Sequence, residues 1–182
     1  MAVATGERLD EMMALANHAE ASDEAGGDRS LVALCQATLL CSQPAPERLT
    51  TVLSQVRDHL AADRAAVWML DDDSRLHIVA ALGLDDADRA PCLEIGEGLS
   101  GYVARNGEAL LIRCMERDDR FRHRRHERYF RGSLISAPLV HGGAVRGAIS
   151  ICRSRHAFCG RDLDLLEQVA FGTAPIAAQA LE

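Results

Sequence analysis

The chain contains no lysine: its twenty basic residues are all arginines, and 27 acidic residues give it a net charge of -7. A broad nucleic-acid-binding surface is therefore not expected, because affinity for a phosphate backbone requires a concentrated positive field. The use of arginine throughout is a bias of composition and by itself indicates no partner.

Long apolar runs are also missing, and no stretch approaches the roughly eighteen consecutive apolar residues of a membrane-spanning helix. The first residues, MAVATGERLD, lack the basic region and apolar run of a secretory signal. The six cysteines are scattered and form no Cys-x-x-Cys pair. These absences predict a cytoplasmic protein with free thiols, with no paired-cysteine metal site and no contact with a membrane.

At 182 residues the chain is long enough for one domain with a buried core and a short extension. Apolar residues at helical spacing predict a leading helix over residues 7–21, and the acidic, glycine-containing stretch 22–27 predicts a linker. We therefore divide the chain into an N-terminal helix and linker, residues 1–28, and a folded domain, residues 29–182.

Two further helices open the folded domain. The first is predicted to begin near Asp28 or Ser30 and to end before Pro44, with apolar residues along one side. Pro46 suits the first turn of the next helix, which is predicted to run to Leu60.

The apolar period then changes to that of strands. Residues 65–70 are a continuous apolar run, typical of a central strand buried on both faces. Further strands are predicted over residues 76–82, 109–112, 133–140 and 144–153, the last two joined as a hairpin by Gly142 and Gly143. A helix from Arg161 closes the chain, and Pro175 is expected to kink its last turns. This order predicts an α+β fold with an antiparallel sheet and the helices grouped on one face.

The most distinctive stretch lies between Leu93 and Phe121. Glycines at positions 96, 98, 101 and 107 surround a short helix that starts near Leu99 and stops at Asn106-Gly107, and a strand follows it. Ser100 could cap this helix, but the glycines also indicate a close approach of the backbone to its neighbours.

This stretch resembles the central signature of GAF domains, a family of regulatory modules that sense small molecules. The resemblance covers about residues 30–182 and rests on short motifs in the family's order and spacing. They are Ala62-Asp63-Arg64 before the first strand and Leu70-Asp71 after it, Gly96-x-Gly98-Leu99-Ser100-Gly101, Asp118-Asp119-Arg120-Phe121, Ser136-Ala137-Pro138-Leu139, Gly147-Ala148-Ile149, and Phe158-x-x-x-Asp162-Leu163-x-Leu165-Leu166. The resemblance implies a central antiparallel sheet with the N- and C-terminal helices on one face and a ligand pocket under a short helix and loop on the other.

On the implied fold, alternation along the strands assigns residues to the pocket. We place Trp68 on the pocket face, since a large ring with a polar N–H suits a ligand cavity, although such a ring would serve equally as core. The same alternation adds Ala80, Leu82, Leu134, Ser136, Ser150 and Cys152, and the segment over the pocket adds Phe121 and Tyr129. The small side chains among them leave the cavity open.

Eight of the twenty arginines lie between Arg113 and Arg131, in the segment that covers the pocket in this family. They could hold a phosphate or carboxylate, although a solvated face paired with nearby acids is the favoured interpretation. Cys114, His123 and His126 could bind a metal or haem, but they lack the spacing of a strong site, and no metal site is predicted.

A redox role for the thiols is also open. Cys152, with Cys159 seven residues later, could support thiol redox sensing. A buried cysteine is more often a small apolar side chain.

Three functional branches of the family can be compared with the sequence. Cyclic-nucleotide-binding members tend to carry an Asn-Lys motif, which a chain without lysine cannot contain, and bilin-binding members commonly use a Cys-His pair, which is also missing. Free-methionine sulfoxide reductases resemble the chain near Cys92, but Ser100 stands where a partner thiol is expected. Ser150 and Cys152 stand where those enzymes use acids, so no catalytic residue is assigned and an enzyme is not predicted.

The sequence therefore predicts a regulatory GAF sensor, the N-terminal input domain of a bacterial signalling or transcription-regulatory protein. It binds a small molecule, whose identity stays open together with any cofactor, and signals to a kinase, an ATPase activator or a cyclic-dinucleotide enzyme. Apolar stripes on helices 30–42 and 161–181 predict a homodimer through a helical bundle. The alternatives are a ligand-free dimerisation scaffold and, less favoured, a reductase.

Overall fold

The computed structural model describes residues 26–85, 92–118 and 131–180. Several sequence predictions lie outside these ranges: the leading helix over residues 7–21, the pocket residues Phe121 and Tyr129, and the histidines His123 and His126. The structural statements below concern the described residues.

Four α-helices are present in this part of the chain: α1, residues 26–39; α2, Ala45–His59; α3, Gly98–Asn106; and α4, Gly160–Gln179. A single 3₁₀ turn covers Met115–Arg117. Gly26 and Gly27, which the sequence analysis assigned to a linker, are already helical. Their helix is held by tertiary contacts that glycine content does not reveal, since Asp28 is anchored to two other helices. No helix of the described chain is long and apolar enough to cross a membrane.

Six strands form one sheet in the order β3-β2-β1-β6-β5-β4, and all neighbours are antiparallel. The strands are β1, Arg64–Leu70; β2, Arg75–Leu82; β3, Leu93–Glu94; β4, Leu110–Ile112; β5, Ser133–His141; and β6, Ala144–Arg153. The predicted α+β class is confirmed. Strand β3 was missed because two residues carry no measurable period.

Apolar residues on one face of the sheet pack against α1, α2 and α4. The sheet side of this core consists of Ala65, Val67, Met69, Ala80, Ile135, Ala137, Leu139, Ile149 and Ile151. Most of them are fully buried and large, and they recur at every second position of β1, β5 and β6. We call this the helix face.

Polar contacts fasten the three helices of this layer at both ends. Asp28 of α1 lies 2.9 Å from His59 Nε2 at the end of α2 and 2.7 Å from Arg161 Nε at the start of α4. At the other end, Arg48 of α2 donates to the Leu39 carbonyl at 2.7 Å and to Gln179 Oε1 at 3.1 Å. Helices α1 and α4 are therefore parallel to each other, and α2 is antiparallel to both.

Helix α3 lies on the opposite face, which we call the α3 face. It covers β5, β6 and β4, where Leu99 and Val103 join a second, smaller apolar cluster with Leu134 and Ala148. The sheet is thus covered on its two faces by layers of unequal size, as the resemblance to GAF domains implied.

Candidate functional site

The position of α3 depends on a close backbone contact at Gly101. Gly96 N donates to the Gly101 carbonyl at 2.9 Å, and a Cβ added at Gly101 would lie 2.8 Å from the Glu94 carbonyl oxygen. Such a contact requires glycine, as the sequence indicated. The helix ends at Gly107, whose φ of 69° is left-handed and whose N–H bonds to the Val103 carbonyl.

Three buried serines connect α3 to the sheet. Ser100 Oγ of α3 lies 3.0 Å from Ser150 Oγ of β6, and Ser150 Oγ lies 2.8 Å from Ser136 Oγ of β5. All three residues are at most 7% exposed. Ser100 therefore does not cap its helix: its hydroxyl is used to join the helix to the sheet. We call these residues the serine chain.

Ser150 and Ser136 of the serine chain lie in one row of paired residues that crosses the sheet. Ala81 of β2 pairs with Ala66 of β1, Ala66 with Ser150, and Ser150 with Ser136. Paired residues of an antiparallel sheet project from the same face. We call Ala81, Ala66, Ser150 and Ser136 the alanine–serine row.

The alanine half of this row is bordered by larger side chains. Trp68 lies in the next row, where it pairs with Ala148 of the α3-face cluster, and it is partly buried. Cys152 and Leu134 lie in the row on the other side and also contact the α3-face cluster. The structure thus brings five sequence-assigned residues together on the α3 face: Trp68, Leu134, Ser136, Ser150 and Cys152.

Two assigned residues lie on the wrong face. Ala80 pairs with Val67 and Leu82 with Ala65, and both contact the helix-face core. The sequence analysis placed them with Trp68, but the register of the β1–β2 hairpin, with a bulge between Val67 and Trp68, gives Ala81 that position instead. Alternation determines which residues of one strand share a face. Which residues of the partner strand lie on that same face depends on the register between the strands, and the sequence leaves this register open.

The cysteines on the described chain are all free. Burial raises the pKa of the Cys152 thiol to about 12, although the charge of Arg64 acts in the opposite direction. Burial likewise raises the pKa of Cys35 to about 11. Both thiols are therefore protonated at neutral pH, and neither has the reactivity of a thiolate.

The structure describes only the two ends of the arginine-rich segment between Arg113 and Arg131, and hydrogen bonds connect these ends. Met115 N donates to the Gly132 carbonyl at 2.8 Å, and Gly132 N donates to the Glu116 carboxylate at 3.2 Å. Backbone hydrogen bonds at Glu116 lower the pKa of its carboxyl group, so it stays ionised. No group of three potential metal ligands occurs within the described ranges.

Three helices thus cover one face of the sheet, and a glycine-bounded helix lies on the other face, joined to it by the serine chain. The GAF domain family matches the sequence over residues 42–176, more than half of the chain. The chain belongs to the GAF domain family. GAF domains are a family of regulatory and sensor modules. No protein of curated function matches the chain by sequence.

Solved structures share the GAF fold at low sequence identity. The GAF domain of a phosphoenolpyruvate-protein phosphotransferase from Coxiella burnetii is 19% identical, with a TM-score of 0.75 over 85% of this chain and 94% of the other. An A. aeolicus GAF domain in an inactive state is 20% identical, with a TM-score of 0.71 over 84% and 96%.

An enzyme of the same fold is also similar. The free methionine-R-sulfoxide reductase from Neisseria meningitidis, solved with its substrate, is 14% identical, with a TM-score of 0.72 over 85% of this chain and 90% of the other. Likeness at this identity concerns the fold, so the function must be argued from this chain's own residues.

Two features of the site escaped the sequence analysis. Ser100 was considered as a helix cap and as a replaced thiol, but its partnership with Ser150 depends on where α3 lies. Ala66 and Ala81 were overlooked because an alanine in a strand carries no chemical signal of its own. A comparison of the hairpin's two possible registers could have drawn attention to Ala81.

Proposed function

We propose that this GAF domain is the input module of a bacterial signalling or transcription-regulatory protein, and that it binds a small molecule on the α3 face. One observation carries the proposal. Beside the serine chain, the α3 face carries the small residues Ala66 and Ala81 where the helix face carries large apolar side chains. These small residues lie in the position where the family resemblance implies a pocket, and the ligand is proposed to bind there.

Signalling would pass through the helix layer. Helices α1 and α4 are parallel and are fastened to α2 at both ends, so they move most easily as one unit. A change at the α3 face reaches them through β1 and β6, whose other sides carry the helix-face core. The output domain, a kinase, an ATPase activator or a cyclic-dinucleotide enzyme, would be driven by this unit.

A homodimer through α1 and α4 is part of the proposal. A shallow groove of about 530 Å³ lies between these two helices and is lined by Val32, Gln36, Asp164, Glu167, Gln168 and Phe171. Phe171 of α4 is 82% exposed, and Leu34 of α1 and Leu40, the residue after α1, are also exposed. An exposed aromatic side chain such as Phe171 beside the partly buried Val32 favours burial against a second copy.

Two experiments test these proposals. Native mass spectrometry of the purified protein should show a bound small molecule, and thermal unfolding against a metabolite panel should show stabilisation; at a hundredfold excess over the dissociation constant this is about 2.7 kcal/mol. Light scattering should show a dimer that Phe171→Glu converts to a monomer. A monomer at high concentration in the wild-type protein would contradict the dimer.

A ligand-free dimerisation scaffold is the second candidate, favoured by the direct packing of Leu99 and Val103 on the sheet. It predicts a dimer with no stabilisation by any metabolite. A reductase is not proposed, because Ser100 stands where the partner thiol is expected and its hydroxyl is hydrogen-bonded to Ser150, and because Ser150 and Cys152 stand where those enzymes use acids. Turnover of free methionine sulfoxide that is abolished by Cys92→Ser would overturn that view.

A further inference from the structure

The outer surface of the α1–α4 pair consists of two strips of residues, one on each helix. The residues of each strip are three or four positions apart, so they share one side of their helix. All except Arg29 line the groove between the helices, and Arg29 belongs by its spacing from Val32 and Gln36. We call Arg29, Val32 and Gln36 the α1 strip, and Asp164, Gln168 and Phe171 the α4 strip.

The two strips run in the same direction and begin at the same level. Asp28, the neighbour of Arg29, lies 2.7 Å from Arg161 Nε at the start of α4. Asp164 follows Arg161 by one helical turn, a rise of about 5 Å. Arg29 and Asp164 are therefore at nearly equal heights along the two helices.

Charge is confined to the N-terminal ends of the two strips, and its sign differs between them. The α1 strip begins with Arg29, whereas α4 carries Asp164 and the neighbouring Glu167 at this end. Residues 30–39 of α1 and 168–179 of α4 contain no charged side chain. Within the described ranges, Arg29 and Asp164 form no ion pair. Each copy thus presents a basic end on one helix and an acidic end on the other.

Three orientations of a symmetric dimer can be compared by their charges. In a parallel dimer with α4 packed on α4, Asp164 of each copy would face the same acid of the other. In an antiparallel dimer centred on Phe171, the acidic ends would face the C-terminal ends, where Arg48 is half-buried and already bonded within its own chain. In a parallel dimer with α1 packed on α4, Arg29 would face Asp164. Of the three, the last places opposite charges together.

We propose that the homodimer is a parallel four-helix bundle in which α1 of each copy packs on α4 of the other, with Arg29 of one copy paired with Asp164 of the second copy. This inference rests on the dimer in the proposed function. Two-fold symmetry forms the pair twice. Phe171 then packs on the α1 strip of the second copy, and the C-terminal ends of both α4 helices lie together, which suits an output domain that they drive jointly.

Charge reversal tests the pair, with the dissociation constant of the full-chain dimer measured by sedimentation. Arg29→Glu and Asp164→Arg should each weaken the dimer about tenfold, because each replaces two ion pairs with two contacts between like charges. The loss should shrink at about 1 M salt, which screens exposed charges. Both positions are exposed, so the fold should be retained, and circular dichroism checks this.

Mixing the two variants shows whether the pair joins two copies. In a mixed dimer of one Arg29→Glu copy and one Asp164→Arg copy, both contacts across the interface again join opposite charges. Native mass spectrometry should therefore show the mixed dimer in excess over either variant's own dimer, with a stability within about twofold of the wild-type dimer. An ion pair within one chain predicts no recovery on mixing, and that result would overturn the inference.

Arg146→Glu is the matched control, since it reverses an exposed arginine of β6, outside α1 and α4. It should leave the dissociation constant within about twofold of the wild-type value. An equal loss in Arg146→Glu and Arg29→Glu would show an effect of net charge and would overturn the pairing, as would an unchanged dissociation constant in Arg29→Glu.

The variant Phe171→Glu distinguishes failure of the pairing from failure of the dimer. If Phe171→Glu dissociates the dimer but Arg29→Glu does not, the copies meet through α4 in another orientation, and the parallel arrangement is rejected. If the wild-type chain is a monomer, the dimer and the pairing are both rejected. Stabilisation by a metabolite would still support the sensor role in either case.

Discussion

The two faces of the sheet are formed by neighbouring residues of the same strands, but they differ in the size and polarity of their side chains. On the helix face, Val67, Ile149 and Ile135 are fully buried in one continuous apolar core with three helices. On the α3 face, the adjacent residues Ala66, Ser150 and Ser136 are small and in part polar. The helix face therefore supplies most of the stability, and the α3 face, which has less apolar contact, is where we propose that a ligand binds.

The largest effect is expected from the helix face. Ile149→Ala removes a fully buried side chain between the sheet and the helix layer, and we expect a loss of about 3 kcal/mol in the free energy of unfolding. Urea denaturation measures it. Ser150→Ala, one residue away on the α3 face, should cost clearly less; an equal loss would contradict the proposed division between the faces.

The next effect tests how α3 is seated. In Gly101→Ala the new Cβ meets the Glu94 carbonyl at 2.8 Å, and we expect a loss of roughly 1–3 kcal/mol as α3 moves away from the turn before it. Gly160→Ala is the control, because a Cβ at that helical position has no atom within 4 Å. It should be neutral or slightly stabilising in thermal unfolding. Equal losses in the two variants would mean that the contact at Gly101 does not matter.

A smaller effect is expected from the serine chain. Ser100→Ala and Ser136→Ala should each destabilise the fold by about 1 kcal/mol, since each removes one buried hydrogen bond. A double-mutant cycle between Ser100 and Ser150 should show non-additive losses. Strictly additive losses would show that the two hydroxyls act independently and that α3 is held by apolar contact alone.

The smallest loss of stability is expected from the ion pairs of Asp28, which connect the three helices of the helix layer, and this loss should depend on pH. Partial burial raises the pKa of Asp28, but the hydrogen bonds and charges of His59 and Arg161 outweigh it and hold the pKa below the ordinary value. Its stabilisation is therefore complete above about pH 4 and is lost as the pH falls further. Asp28→Asn should cost up to about 1 kcal/mol at pH 7 and nothing near pH 2.

Exposed Asp72 provides the control for this experiment. At every pH from 7 to 2, the unfolding free energy of Asp72→Asn should be nearly equal to that of the wild-type protein. A deficit in Asp28→Asn that persists at pH 2 would indicate lost packing in place of a lost ion pair.

Much of the architecture could be predicted from local pattern. The apolar run of β1, the β5–β6 hairpin at Gly142-Gly143 and the end of α3 at Gly107 each depend on a few neighbouring residues. The early start of α1 and the two-residue strand β3 could not be predicted. The first depends on Asp28 reaching His59 and Arg161, and the second on pairing with β2.

The candidate site was predictable in part for the same reason. Within one strand, alternation grouped Ser150 with Cys152 and Leu134 with Ser136. Between strands, the bulge at Val67/Trp68 and the hairpin register decided that Ala81, and not Ala80 or Leu82, lies beside Ala66. No local property of three alanine and leucine residues distinguishes these registers.

The sequence by itself determined the GAF family, the order of helices and strands and the glycine-dependent close packing of α3, because these follow from local conformational preference and short motifs. The tertiary structure alone decided that Ser100, Ser136 and Ser150 form one hydrogen-bonded chain and that the row continues into two alanines. The physical reason is that hydroxyls from a helix and two strands share hydrogen bonds only after sheet register and helix position have brought their oxygens to about 3 Å from one another.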